Sequence, residues 1–272
     1  MATTIFLVNP REGGVTPPSY LLDTYSAAAA YSLRQLKTGV TSVVRVRRSS
    51  DNREENFTAT EITDGTLTGF CGGGNGFVVT WYDQSGNAND ATQSVASSQP
   101  RIVLSGVIDT DTNGTPTLYL PTGNSYFNLT SNINEVQQFH NFSVFTRPAS
   151  GNRTTTSLGA ASNDWIFSWA TGNARRTDLN TNVSYDTSTS TGLFLQNNNR
   201  NSSNGVECWF NGSSIGTGSI TTSSFVFTQL LRYSTLGNSV GSLHSEVIYF
   251  ESDQSANRTA IESDINGYYS IY

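Results

Sequence analysis

The sequence predicts an all-β, antiparallel sandwich of the jelly-roll kind, with a helix near its start and a short helix at its end. Two observations carry this. From about Thr41 the chain becomes a series of short apolar runs, among them "SVVRVRR", "FVVTWY", "RIVLSGVI", "FSVFTR", "WIFSW", "VECWFNG" and "SEVIYFE", punctuated by Gly, Asn and Ser. That spacing suits antiparallel strands and not a parallel α/β sheet. Hydrophobic residues make up 36% and charged residues only 13% of the 272 positions, which is too apolar and aromatic for disorder and too uncharged for an ordinary cytoplasmic enzyme. No break in composition divides the runs, so residues 21–272 read as one domain, preceded by an arm at 1–20.

The arm mixes a short β-prone run with "REGGVTPPS", whose glycines and prolines continue neither a helix nor a central strand. The stretch "LLDTYSAAAAYSLRQLKTG" reads as a helix: Asp23 or Thr24 caps it, Ala29, Ala30, Leu33 and Leu36 form a stripe, and Gly39 stops it. Arg45 and Arg47 alternate with Val44 and Val46, as on a strand with one charged face. In "GFVVTWY" both registers are apolar, as in a strand covered on both sides. The tract "NNNRNSSNG", Asn197 to Gly205, reads as a long turn, because Asn and Gly tolerate positive φ. After the last strand, Ser252 or Asp253 caps a helix striped by Ala256, Ala260, Ile261, Ile265 and Tyr268 or Tyr269.

Several function classes drop out on charge and motif. The net charge is −6, Lys37 is the only lysine, and the one dense basic run is "RVRR", so no nucleic-acid footprint is present. No window has the length of a membrane span, and the start carries no positive residue before its four-residue apolar run, unlike a secretory signal. The expectation is synthesis in a host cytoplasm without the usual export, combined with the surface chemistry of an exported protein. Virion components meet both conditions. Cys71 and Cys208 lack partners at metal spacing, and whether they pair is left open. His140 and His244 are isolated, without a Ser/His/Asp pattern.

The polar loop in "GFVVTWYDQSGNANDATQ" supports two readings. In the first, Trp81, Tyr82, Asp83, Ser85 and Gly86 form a structural elbow, in which Asp83 and Ser85 bond backbone amides and Gly86 and Asn87 take positive φ. In the second, Asp83, Asn87, Asn89 and Asp90 offer oxygen ligands to calcium. Only two of the four are carboxylates and the spacing matches no standard calcium loop, so no cofactor is expected. Sugar contacts need aromatic faces with planar polar neighbours. Trp165 and Trp169 share one strand face, with Asn163, Asp164, Arg175 and Arg176 nearby, and Trp209 is a further candidate. The competing reading makes these tryptophans core residues.

The order "WFNGSSIGTG", "GSLHSEVIYF" and a helix ending "IESDINGYY" resembles the closing half of concanavalin A-like, laminin-G-like sandwich domains. The front half, "AAAYSLRQLKTG", "VVRVRRSSDN" and the "YDQSG" loop, is similar to the catalytic sandwich domain of α-L-arabinofuranosidase B and its relatives among marine bacterial and phage proteins. The resemblance implies a two-sheet sandwich with a central strand over residues 76–82. It also implies a catalytic Glu in mid-chain and an Asp in a turn before the penultimate strand. Here the matching turn has Ser234, Thr235 and Leu236, and the middle region offers Asp164 and Asp178 but no Glu. Glu207 and Glu246 lie inside strands, where a solvent-facing or edge carboxylate is the plainer reading.

These departures lead to a non-catalytic reading: a bacteriophage structural protein, a head- or tail-associated fibre, spike or decoration subunit with a lectin-like sandwich. Its expected partners are other virion proteins through residues 1–20, further copies of itself, and host surface glycans. An arabinofuranosidase-like glycoside hydrolase is the alternative, and a bacterial surface adhesin domain the third.

Overall fold

The computed structural model describes residues 19–135, 138–147, 157–158, 165–169, 175–179, 181–186, 192–219, 225–232 and 241–272. In chain order, a helical turn α1 (Leu21–Thr24) leads to strands β1 (Ala29–Ser32), β2 (Val44–Arg48) and β3 (Glu54–Phe57). Two short helices, α2 (Ala59–Thr63) and α3 (Thr66–Cys71), then precede β4 (Gly76–Trp81). The chain continues through β5 (Ala91–Thr92), β6 (Arg101–Leu104), β7 (Val107–Ile108), β8 (Leu118–Tyr119), β9 (Phe127–Glu135) and β10 (Phe139–Arg147). Next come β11 (Ser157–Leu158), β12 (Trp165–Trp169), β13 (Arg175–Leu179) and β14 (Thr181–Asp186). Last are β15 (Gly192–Arg200), β16 (Gly205–Phe210), β17 (Ser213–Ser219), β18 (Phe225–Leu230), β19 (Leu243–Phe250) and α4 (Arg258–Tyr269).

The pairing is antiparallel, and the expected all-β sandwich is the observed fold. Strands β1, β19, β10, β15, β16 and β17 form one half, and β3, β2, β4, β5, β9, β18 and β11 the other, with β6 and β8 bridging them. The main core lies between the halves: Val247 and Tyr249 of β19 and Phe139 of β10 meet Val44, Val46, Val78, Trp81, Phe127 and Phe227. On the far side of the first half, α4 packs Ile261, Ile265 and Tyr269 onto Phe142, Val144, Leu195, Ile248 and Phe250. That half is therefore covered on both faces. Strands β12, β13 and β14 make a separate antiparallel sheet.

Three local expectations are corrected. The alanine stretch is not a helix; only the single turn α1 is helical, and Ala29 to Ser32 pair with β19 in register with Tyr249 to Glu246. Ala29 and Tyr31 join the main core while Ala30 joins the α4 side, so double-sided burial overrides helix propensity. The asparagine tract is not a long turn: Asn197 to Arg200 are strand residues of β15, buried, and the turn itself is confined to 201–204. In α4 the N-cap is Asn257, whose side chain makes no capping bond, and Ala256 and Ala260 are exposed. Asp253 instead accepts from Asn199 Nδ2 at 3.1 Å, which ties the approach to α4 onto β15.

Gly76 opens β4 because nothing larger fits. A Cβ there would lie 2.8 Å from Cys71 Sγ and 3.2 Å from Val103 Cβ. Cys71 and Cys208 are both buried and are not joined by a disulfide. Residues 1–18 of the arm lie outside the described residues, and Tyr20 is the N-cap of α1.

Candidate functional site

The polar loop after β4 closes an open sheet edge. β1 pairs with β19 on one side only, and the loop supplies partners on the other. Ala30 N–H donates to Asp83 Oδ1 at 2.9 Å, and Gln84 N–H donates to the Ala30 carbonyl at 2.8 Å. Gln84 Nε2 reaches the carbonyls of Ser32 and Arg34 at 2.9 and 3.0 Å, while its Oε1 accepts from Leu36 N–H at 2.7 Å. Asp83 also accepts from the amides of Ser85 and Asn89, at 2.9 and 3.0 Å, so both of its oxygens are engaged by the protein. Asn87 Nδ2 donates to the Ala28 carbonyl at 2.9 Å, Asn89 Oδ1 accepts from Ser131 N–H at 2.8 Å, and Asp90 Oδ1 accepts from Asp83 N–H at 3.0 Å. Gly86 has φ of +99°, and Lys37 Nζ crosses it to donate to the Ser85 carbonyl at 2.6 Å. Trp81 is fully buried between Tyr31 and Phe127, with ring centroids 5.8 and 6.2 Å away. Tyr82 Oη donates to Asn56 Oδ1 at 2.9 Å.

Of the proposed sugar platform, Asn163 and Asp164 lie outside the described residues. In the backbone register of β12 and β13, Arg175 is the partner of Trp169 and Arg176 that of Ser168. Trp209 is 6% exposed. Its ring stacks on His140 at 5.6 Å, and the Arg258 guanidinium lies 4.8 Å from its centroid. His140 Nε2 meets Asn197 Oδ1 at 3.0 Å, and Asn197 Nδ2 donates to Glu262 Oε1 at 2.7 Å. Glu262 is paired in turn with Arg258.

The carboxylates in strands also depart from the plainer reading. Glu246 is fully buried: Arg34 donates to its two oxygens from Nε and Nη2 at 2.8 and 3.1 Å, and Ser32 Oγ adds a bond at 2.8 Å. Glu207 is half-buried and accepts from Ser214 Oγ at 2.6 Å.

A different cluster stands out on the face of β10, β15 and β16 turned away from α4. Because Phe142, Val144, Leu193 and Leu195 pack toward α4, strand alternation assigns Asn141, Ser143, Gln196, Asn198 and Arg200 to the opposite face. The register aligns Asn141 with Asn198 and Ser143 with Gln196 across β10 and β15, and Asn198 with Cys208 across β15 and β16. All of these are buried. Asn141 Nδ2 donates to Ser143 Oγ at 3.3 Å, and Gln196 Nε2 to Cys208 Sγ at 3.8 Å. His244 of β19 stands beside Phe145, and its Nε2 meets Ser242 Oγ at 3.2 Å.

Among the described residues, Asn141 Oδ1 and His244 Nδ1 meet no hydrogen-bond partner. Burial draws the His244 imidazole down to about 3, so the ring is neutral at ordinary pH. An unpaired buried polar atom costs about 1–3 kcal/mol. None of the described residues that these strands place on this face is a carboxylate. Among the described residues, no group of three or more His, Cys, Asp or Glu side chains could hold a metal. The sequence hid this site because an asparagine run reads as a turn until pairing with β10 and β16 makes it a strand.

The same architecture occurs in solved glycosidases. A GH54 α-L-arabinofuranosidase soaked with a cyclic sulfate inhibitor superimposes with a TM-score of 0.66 at 16% identity, covering 88% of this chain and 62% of that one. An arabinofuranosidase complexed with arabinofuranosyl-α-1,2-xylobiose gives a TM-score of 0.58 at 13% identity with the same coverage. This chain has the arabinofuranosidase-type sandwich fold. At such identity the likeness extends to the fold alone, and the chain spans 62% of the length of those structures. No protein-family model and no curated protein matches the sequence.

Proposed function

We propose that this chain is a non-catalytic, carbohydrate-binding sandwich, and that it serves as a structural subunit of a bacteriophage particle. The amide ladder of Asn141, Gln196 and Asn198, with the unpaired Asn141 Oδ1 and His244 Nδ1, carries the binding half of this reading. Primary amides and a neutral imidazole both donate and accept, as neighbouring sugar hydroxyls require, and they bring no charge that a neutral glycan would have to desolvate. The absence of a carboxylate among the described residues of that face supports binding over hydrolysis, since glycoside hydrolysis needs two flanking carboxyl groups.

The particle half rests on the uncharged, Asn- and Ser-rich β composition and on a Gly- and Pro-bearing arm suited to docking on other virion proteins and on copies of itself. Binding requires no cation. The second reading, an arabinofuranosidase-like hydrolase, is favoured by the fold likeness over 88% of the chain. Glycan-array binding by wild type, lost in Asn141→Leu at unchanged melting temperature, with no arabinose released from arabinofuranosyl substrates, is the expected outcome. Turnover above a buffer blank overturns the non-catalytic reading, and absence of the chain from purified virions overturns the particle assignment.

A further inference from the structure

On the opposite, helix-covered side of the molecule, a groove of about 330 Å³ opens between α1, α2 and α4. Its walls are Tyr20, Gln35, Thr60 and Tyr268, and Leu21 and Ala59 contribute apolar surface. Among the described residues, Arg34 and Asp264 are its only charged lining side chains. A volume near the lower end of the roughly 300–1,000 Å³ range of small-molecule sites suits a compact ligand.

The charges in the groove do not balance. Arg34 makes its two bonds to Glu246 and a third contact, from Nη2 to Asp264 Oδ1, at 2.7 Å. One guanidinium thus answers two carboxylates, leaving one negative charge in excess. Glu246 is enclosed, with 1% of its side chain exposed, whereas 35% of the Asp264 side chain is open. The excess therefore reaches solvent through Asp264. Lys37, beside the nearby Asp23, offsets that carboxylate and leaves the imbalance at Asp264. Tyr268, 43% exposed, already lies against one cation, with Arg34 Cζ 5.3 Å from its ring centroid.

We propose that this groove binds an organic cation, an ammonium or guanidinium group on a short aliphatic arm. The cation pairs with the open oxygen of Asp264. Its arm lies on Leu21 and Ala59, and the rings of Tyr20 and Tyr268 flank it, as electron-rich aromatic faces do for cations. An anion is disfavoured because the one arginine is already neutralised twice. A neutral polyol would leave the exposed charge without a counter-ion. The same chemistry is presented by a basic peptide side chain and by an amino sugar, which the test separates.

The test is a ¹⁵N-NMR titration of the full chain with n-butylammonium, with isosteric neutral n-butanol as the control. Expected are shifts at the amides of Tyr20, Gln35, Thr60 and Tyr268, at least tenfold tighter binding of the ammonium than of the alcohol, and weakening as salt rises. Asp264→Asn should lower affinity at least tenfold, and Tyr268→Ala at least threefold. Glucosamine and an arginine-containing tripeptide then report which carrier fits. Equal binding of alcohol and ammonium, affinity indifferent to salt, or no shifts in the groove would overturn the proposal, and none of these depends on a variant folding. Asn141→Leu, on the other face, should leave ammonium binding unchanged, so this inference and the glycan reading fail separately.

Discussion

Asp83 illustrates how one side chain organises a neighbourhood. Its two oxygens take three backbone amides from two segments, those of Ala30, Ser85 and Asn89, plus the Ser85 hydroxyl. Asp83→Ala leaves those amides without acceptors, at a cost of about 1–3 kcal/mol that a denaturant melt would read directly. Because its oxygens are already engaged, calcium should leave the wild-type melting temperature where chelator leaves it. A calcium-dependent rise would restore the metal reading of Asp83, Asn87, Asn89 and Asp90. The buried histidines make a second prediction. Burial lowers His140 to about 4 and His244 to about 3, from the ordinary imidazole value of 6.5. Between those values and 6.5 the unfolded chain binds more protons than the folded one, so stability is intact above pH 6.5 and falls on acidification. Each imidazole contributes a slope of up to about 1.4 kcal/mol per pH unit. Urea melts at pH 7.0, 6.0 and 5.0 should show the decline above the range where most carboxylates titrate. A flat profile would place these rings in water.

At the scale of elements, strand β1 exists because two neighbours complete it: β19 on one edge and the side chains of the 83–87 loop on the other. Gln84 is the centre of that cover, only 1% exposed and bonded to Leu36 N–H and to the Ser32 and Arg34 carbonyls. Gln84→Leu keeps the approximate volume but removes all three bonds, so a loss of at least about 2 kcal/mol is expected. Hydrogen exchange should then quicken at Ala30 and Leu36 before it does in β10. Uniform exchange across both strands would mean that the loop does not seal the edge. The asparagines of β15 follow the same logic. Asn197 and Asn199 face α4, where Glu262 and Asp253 hold them, while Asn198 faces the other way in line with Asn141.

Taken whole, the two sites proposed above draw on different parts of the fold, an amide ladder on β10 and β15 and a groove between α1, α2 and α4. The core between the halves is contributed by strands from Ala29 to Tyr249, so the sandwich needs nearly the whole described length. A chain lacking 1–18 is expected to keep its thermal midpoint and far-UV spectrum but to fail to assemble, as judged by sedimentation. Unfolding of the truncated chain would make the arm part of the core.

The sequence by itself determined the sandwich, because alternating short runs have no other way to bury their apolar faces. It also determined the charged face of β2 and the closing helix, since Arg45 with Val44 and Ile261 with Ile265 carry their periodicity locally. What only the tertiary structure decided are the segments whose local preference was outvoted. Four alanines favour a helix in isolation, yet Ala29 and Ala30 lie in a strand between two clusters, one containing Trp81 and the other the apolar face of α4. Asn197 to Arg200 favour turns, yet neighbours on both edges supply the ladder partners that make a strand cheaper than solvation. The two proposed sites were hidden for the same reason. Asn141, Asn198 and His244 are far apart in sequence, as are Arg34, Glu246 and Asp264, and long-range strand pairing brings each set together.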